Sequence, residues 1–123
     1  MFENLKAMGA MAALLKDKDR LKSAGDRIKS AAAATRATGE GGAGAVRVTV
    51  DGKMHVLAVE LQPALVSGMA ADDRTRELAG NLSAGARNKC VAAAHGEMKV
   101  VLEKEAAALG LPGLGGDLAG LLS

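Results

Sequence analysis

The apolar and polar positions of this 123-residue chain change period twice. From about residue 3 to Ala33 the apolar residues recur at helical spacing. Leu14, Leu21 and Ile28 lie seven apart, and Ala7, Met11, Ala24 and Ala32 widen them into a narrow stripe. That stripe predicts one long helix packing along another helix. Gly9 and Gly25 weaken it locally, and no proline interrupts it. The run "SAAAATRATG" is ambiguous, because Ala31 to Ala34 prolong a helix while Thr35 to Thr38 favour a strand; the helix is expected to end near Ala33, with a short strand after it.

The period then falls to two. Val46, Val48 and Val50 alternate with Arg47 and Thr49, which marks a strand with one buried face. Asp51-Gly52 is a hairpin signal, and the next run, Met54 to Leu61, stops at Gln62-Pro63. A turn of two or four residues puts Leu57, Val59 and Leu61 on the same face as the three valines, and that face is expected to be core. The other face, with Arg47, Thr49, Val56, Ala58 and Glu60, is mixed and leaves room for a partner. Helical spacing returns after Asp72 and Asp73, candidate N-caps of a second long helix reaching about Leu109. Its expected apolar positions are Leu78, Leu82, Ala86, Val91, Ala94, Met98, Val101 and Leu102. The elements add up to an α+β fold: a long N-terminal helix, a three-stranded antiparallel meander and a long C-terminal helix. Residues 1–108 read as a single domain and residues 109–123 as a flexible Gly/Leu-rich tail. No internal repeat is evident.

Composition narrows the chemistry. Phe2 is the only aromatic residue, so the core must be made of Ala, Val, Leu and Met. Such a core buries little area per residue, which makes oligomerisation a plausible remedy. The lack of aromatics also argues against a single-strand binder that stacks bases. The single cysteine, Cys90, excludes an internal disulfide and fits a reducing, cytoplasmic setting. The apolar run Ala7 to Leu15 has no clear cleavage site and is too short for a membrane span.

The stretch "TGEGGAGAVRVTVDG", residues 38–52, contains Gly39-x-Gly41-x-x-Gly44. A dinucleotide fingerprint needs a helix to open after the glycines, and here a valine strand follows instead. Nor do Lys and Ser or Thr follow Gly44, as a phosphate loop requires. The glycines read as a connection between strands. His95 and Cys90 stand about 140° apart around one helix, poorly placed to share a metal. His55 follows the hairpin turn with no acid partner evident nearby, and Glu97, Glu103 and Glu105 sit among Lys99 and Lys104 as helix-surface pairs. No enzyme, cofactor, metal or small-molecule substrate is expected.

Net charge is +2, but residues 1–36 carry eight basic against four acidic side chains. On a helical wheel the basic residues form two lines, Lys16, Arg20 and Arg27 on one side of the Leu14 stripe and Lys18, Lys22 and Lys29 on the other. They suit neutralisation of backbone phosphates. The alternative is a solvated flank in which Asp17, Asp19 and Asp26 pair locally.

The order of elements and the block from residue 37 to 63 resemble the YbaB/EbfC family of bacterial nucleoid-associated proteins. The matching features are the glycine-rich turn, "VRVTVDG" for V-x-V-T-x-x-G, and Val59-Glu60-Leu61-Gln62-Pro63 for V-x-I-x-P. Farther on, Ala86-Arg87-Asn88-Lys89-Cys90 resembles A-x-N-D/E-A, with Lys89 in place of an acid and Cys90 in place of alanine. Residues 74–80 suggest a few inserted positions, and the N-terminal helix is rich in Lys and Asp where relatives often have Met and Gln. The resemblance implies a homodimer whose helices project as arms, binding double-stranded DNA in the cytoplasm and nucleoid and serving nucleoid organisation or gene regulation. It favours Lys16, Lys18, Arg20, Lys22, Arg27 and Lys29 as the DNA contacts. A dimeric protein-interaction module, using the sheet face or the tail from Leu109 to Leu122, is the other reading.

Overall fold

The computed structural model describes residues 16–110 together with Met8, Gly9 and Ala12. Its elements are α1 (Lys18–Ala34), β1 (Ala37–Gly41), β2 (Val46–Val50), β3 (Val56–Leu61), α2 (Pro63–Ala71) and α3 (Asp73–Ala108). The chain divides into two compact units, Ala33–Gly96 and the pair of segments Met1–Ala32 and Glu97–Ser123. Among the described residues, no helix is long and apolar enough to cross a membrane.

In the first unit the three strands form an antiparallel meander in the order β1-β2-β3. Ala37, Gly39 and Gly41 of β1 and Val46, Val48 and Val50 of β2 point inward and are buried. Their core partners are Leu65 from α2 and Ala79, Ala86, Cys90 and Ala94 from α3. Gly39 and Gly41 therefore lie in a strand, not in the connection as expected. A Cβ on Gly39 would run into the Ala86 carbonyl oxygen and stand 2.7 Å from the Cys90 amide nitrogen; one on Gly41 would stand 2.5 Å from the Leu82 carbonyl oxygen. Glycine is needed there because the helix backbone lies directly against the strand. Gly42 and Gly44 do make the turn, with positive φ at Gly42, Ala43 and Gly44.

Val46 pairs with Leu61 and Val48 with Val59, the expected parity. An irregularity between Thr49 and Val50 then sets Val50 opposite Val56, leaving Leu57 as the extra residue. Asp51 builds the turn that feeds this bulge, its Oδ1 accepting from the amides of Lys53 (2.9 Å) and His55 (3.0 Å). The expectation that β3 contributes to the core is corrected: all six of its residues are exposed. The core residues of α2 and α3 gather with β1 and β2, and β3 is an edge strand.

Helix α2 is an element the sequence did not suggest. Pro63, at which the β3 run stops, occupies the first turn of α2, where its missing N–H costs nothing. Asp72 then ends α2 and opens α3, its amide donating to Gly68 O (3.0 Å) while its Oδ1 accepts from the Arg74 amide (2.9 Å). The expected N-cap is therefore real. Of the apolar positions expected on α3, Ala86 and Ala94 in this unit are buried, whereas Leu78 is exposed and Ala79 takes the inward place.

Among the described residues of the second unit the buried side chains are Ala24 and Ala32 of α1 and Met98, Leu102 and Ala106 of α3. Leu21 and Ile28 are partly buried, as their spacing predicts. A single helix from residue 3 onward is not what the described residues form, because Asp17 interrupts it. Its Oδ1 accepts from the Arg20 amide at 3.2 Å and so caps a fresh helix starting at Lys18. Aspartate competes for backbone donors in this way, which is why it favours helix starts over interiors. Ala7, Met11 and Leu14 of the expected stripe, and the tail beyond Gly110, lie outside the described residues.

Candidate nucleic-acid interface

All six basic residues singled out from the sequence are exposed. At about 100° per residue, α1 carries its half-buried Leu21 and Ile28 on one side, with a lysine line and an arginine line flanking them. The two lines do different things. Arg27 is fastened to Glu105, its Nε 3.1 and 3.0 Å from the two carboxylate oxygens and its Nη2 2.9 Å from Oε2. That fork raises the affinity of the guanidinium for its proton and holds the Glu105 carboxyl below the ordinary glutamate range. Arg20 donates from Nη2 to the Ala108 carbonyl at 3.1 Å, satisfying an orphan acceptor in the last turn of α3. Gly110 follows with a positive φ and donates to Ala107 O at 3.0 Å, closing the helix end. Both arginines are thus turned toward the end of α3.

Lys16, Lys18, Lys22 and Lys29 make no ion pair with any described residue. Lys18, Lys22 and Lys29 share one flank of α1, with Lys16 on the arginine side just before it, and such exposed ammonium groups are suited to phosphate oxygens. The local pairing with Asp19 and Asp26 that a solvated flank would show is absent among the described residues.

Elsewhere several basic groups are engaged, while Lys53, Arg74, Lys99 and Lys104, like the α1 lysines, make no ion pair with any described residue. Arg47 lies across the outer sheet face between Glu40 (2.7 Å) and Glu60 (3.9 Å), a three-strand ladder that raises its pKa chiefly through the hydrogen bond to Glu40. Lys89 reaches the Glu40 carbonyl at 3.1 Å. Arg36 donates to the carbonyls of Ala33 and Thr35, and Arg76 pairs with Asp73 and donates to the Met69 carbonyl. These contacts were not legible from spacing alone, since they depend on where neighbouring strands and helices fall.

The remaining candidates are structural in their contacts. His55 does have an acid neighbour, contrary to expectation: its Nδ1 lies 3.8 Å from Asp51 Oδ2, four residues back. Asp51 is held below its ordinary range by the His55 amide first and the Lys53 amide as well, with burial opposing. Its main work is the turn. Cys90 is fully buried, its Sγ 3.1 Å from the Arg87 carbonyl, and burial pushes the thiol up, away from the reactive thiolate. Among the described residues, no cluster of three His, Cys, Asp or Glu side chains could hold a metal ion.

The model of the YbaB/EbfC DNA-binding family matches residues 8–106, and the chain belongs to that family.

Proposed function

We propose that this protein binds double-stranded DNA as a homodimer, chiefly through phosphate contacts from the α1 region, and serves nucleoid organisation or gene regulation in the bacterial cytoplasm. The observation that carries the reading is the exposed set Lys16, Lys18, Lys22 and Lys29, free of ion pairs with described residues while the neighbouring Arg20 and Arg27 are engaged. Family membership supports DNA as the partner. Residues 1–108 act as one such domain, followed by the tail. No catalytic step is proposed.

Dimerisation is supported by β3. Val56, Leu57, Val59 and Leu61 are between 38% and 54% exposed on an unpaired sheet edge, a surface that proteins normally cover or blunt with charge. A second copy paired there would cover these residues and present α1 twice, strengthening individually weak contacts. The same edge also favours the second reading, a dimeric protein-interaction module for which DNA contact is incidental.

Fluorescence anisotropy of a labelled random duplex at about 50 and about 200 mM salt separates the two, because several phosphate contacts give a steep loss of affinity with salt. The expected result is strong salt dependence, reduced in the triple variant Lys18→Ala, Lys22→Ala, Lys29→Ala while the fold and the dimer persist. An unchanged salt slope in that variant would remove the lysine line from the interface. No binding at the lower salt would leave the protein-interaction module.

A further inference from the structure

The expectation of no internal repeat does not hold inside α1. Asp19-Arg20-Leu21-Lys22-Ser23-Ala24-Gly25 is followed at once by Asp26-Arg27-Ile28-Lys29-Ser30-Ala31-Ala32, identical at five of seven positions, with Leu/Ile and Gly/Ala as the differences. Seven residues are close to two helical turns, so each side chain type returns at nearly the same azimuth about 10.5 Å farther along. The result is parallel stripes. Leu21 and Ile28 turn inward, the lysines run down one flank, the arginines run down a flank about 160° away, and the aspartates and serines lie between them on the solvent side.

Each copy divides its two cations in the same manner. The arginine of the first copy reaches the Ala108 carbonyl and that of the second reaches Glu105, both in the last turn of α3. The lysine of each copy stays exposed and unpaired among the described residues, although Asp26 lies four residues after Lys22 and three before Lys29. A chain that needed only positive charge would not have to orient the two cation types oppositely in both copies.

We infer that α1 is a tandem phosphate-binding module in which Lys22 and Lys29 make separate and equivalent phosphate contacts, while Arg20 and Arg27 are withheld to fasten α3. The inference rests on duplex DNA being the ligand. Two ammonium groups on one flank, based about 10.5 Å apart along the axis, can each reach a phosphate of its own. A duplex with one charge per about 1.7 Å of axis offers each of them its own.

The test is the slope of log affinity against log salt for the full chain on a random duplex. Lys22→Ala and Lys29→Ala should each lower the slope by the same amount, about 0.9 for each phosphate no longer neutralised, and the double variant by twice that. Arg27→Gln should leave the slope unchanged. Glu105→Gln, which releases the guanidinium without removing it, guards against misfolding of the arginine variant and should leave the slope unchanged or steeper. If Arg27→Gln, still helical by circular dichroism, flattens the slope as much as Lys29→Ala, or if only one of the two lysines matters, the tandem assignment is overturned while DNA binding stands. If the unmodified protein fails to bind at about 50 mM salt, the reading beneath it fails as well.

Discussion

The two units of this chain hold themselves together by different means. In Ala33–Gly96 the core is contact between shapes: β2 valines with almost no exposure and a helix backbone laid against glycines of β1. Among the described residues of the segments Met1–Ala32 and Glu97–Ser123 the buried set is mainly alanines with Met98 and Leu102, and the fastenings include Arg27 to Glu105 and Arg20 to a helix-end carbonyl. Burying a valine contributes on the order of 1.5–3 kcal/mol, whereas an alanine buries little and exposed ion pairs are screened by water and salt. The first unit should therefore be sensitive to single methyl groups and depend little on its own surface ion pairs, Arg47 with Glu40 and Glu60 and Arg76 with Asp73. The second should be sensitive to charge.

The largest expected effect lies at Gly39. A methyl group there meets the Ala86 carbonyl and the Cys90 amide, both backbone atoms of one helix, so neither can rotate away as a side chain could. Gly39→Ala should cost about 3 kcal/mol, the upper end of overpacking costs. Gly85 is the control, since a Cβ there meets nothing within 4 Å. Gly85→Ala, within α3, should be neutral or stabilise by up to about 1 kcal/mol. Urea denaturation of both variants measures the difference, and equal effects would mean that the strand and helix do not approach as closely as described.

A smaller effect is expected at Asp72, whose carboxylate caps α3. Asp72→Ala should cost about 1 kcal/mol, read in the same denaturation series; Asp72→Asn, which keeps the acceptor, should recover most of it. This cap shows how much of the fold was legible in the sequence. An aspartate before a helical period, β-branched alternation in β2 and a turn signal at Asp51-Gly52 are local rules, and each placed its element correctly. What escaped was decided by distant contacts or by competition between local rules. Proline at residue 63 equally suits a strand end and a helix start, so α2 was missed. Alternation assigned β3 one inward face but carries no information about what covers it, and all six of its residues are exposed. Glycine spacing suggested a flexible connection because the helix that needs the missing Cβ atoms lies over forty residues away. Among the DNA-contact candidates, their residence on an exposed helix was legible, but the separation of lysines from arginines depends on Glu105 and Ala108, far along the chain.

The smallest effect concerns Glu105, whose pair with Arg27 joins α1 to the end of α3. Arg27 holds the Glu105 carboxyl below its ordinary range through the side-chain hydrogen bond. A folded-state pKa lowered in this way contributes stability that is present above the unfolded value and lost as pH falls through the folded one. The loss should therefore appear on acidification below roughly pH 5. It should be confined to amides of α1 and the end of α3, and should shrink at high salt because the pair is open to screening. A carbon-13 titration of the glutamate carboxyls, run alongside amide exchange, checks both parts. In the unmodified protein the Glu105 midpoint should lie below those of ordinary glutamates, and in Arg27→Gln it should move up toward them. A midpoint that does not respond to Arg27→Gln would mean that the fork does not persist in solution. The withheld arginine would then be available to a phosphate, and the contrast between the two flanks of α1 would disappear.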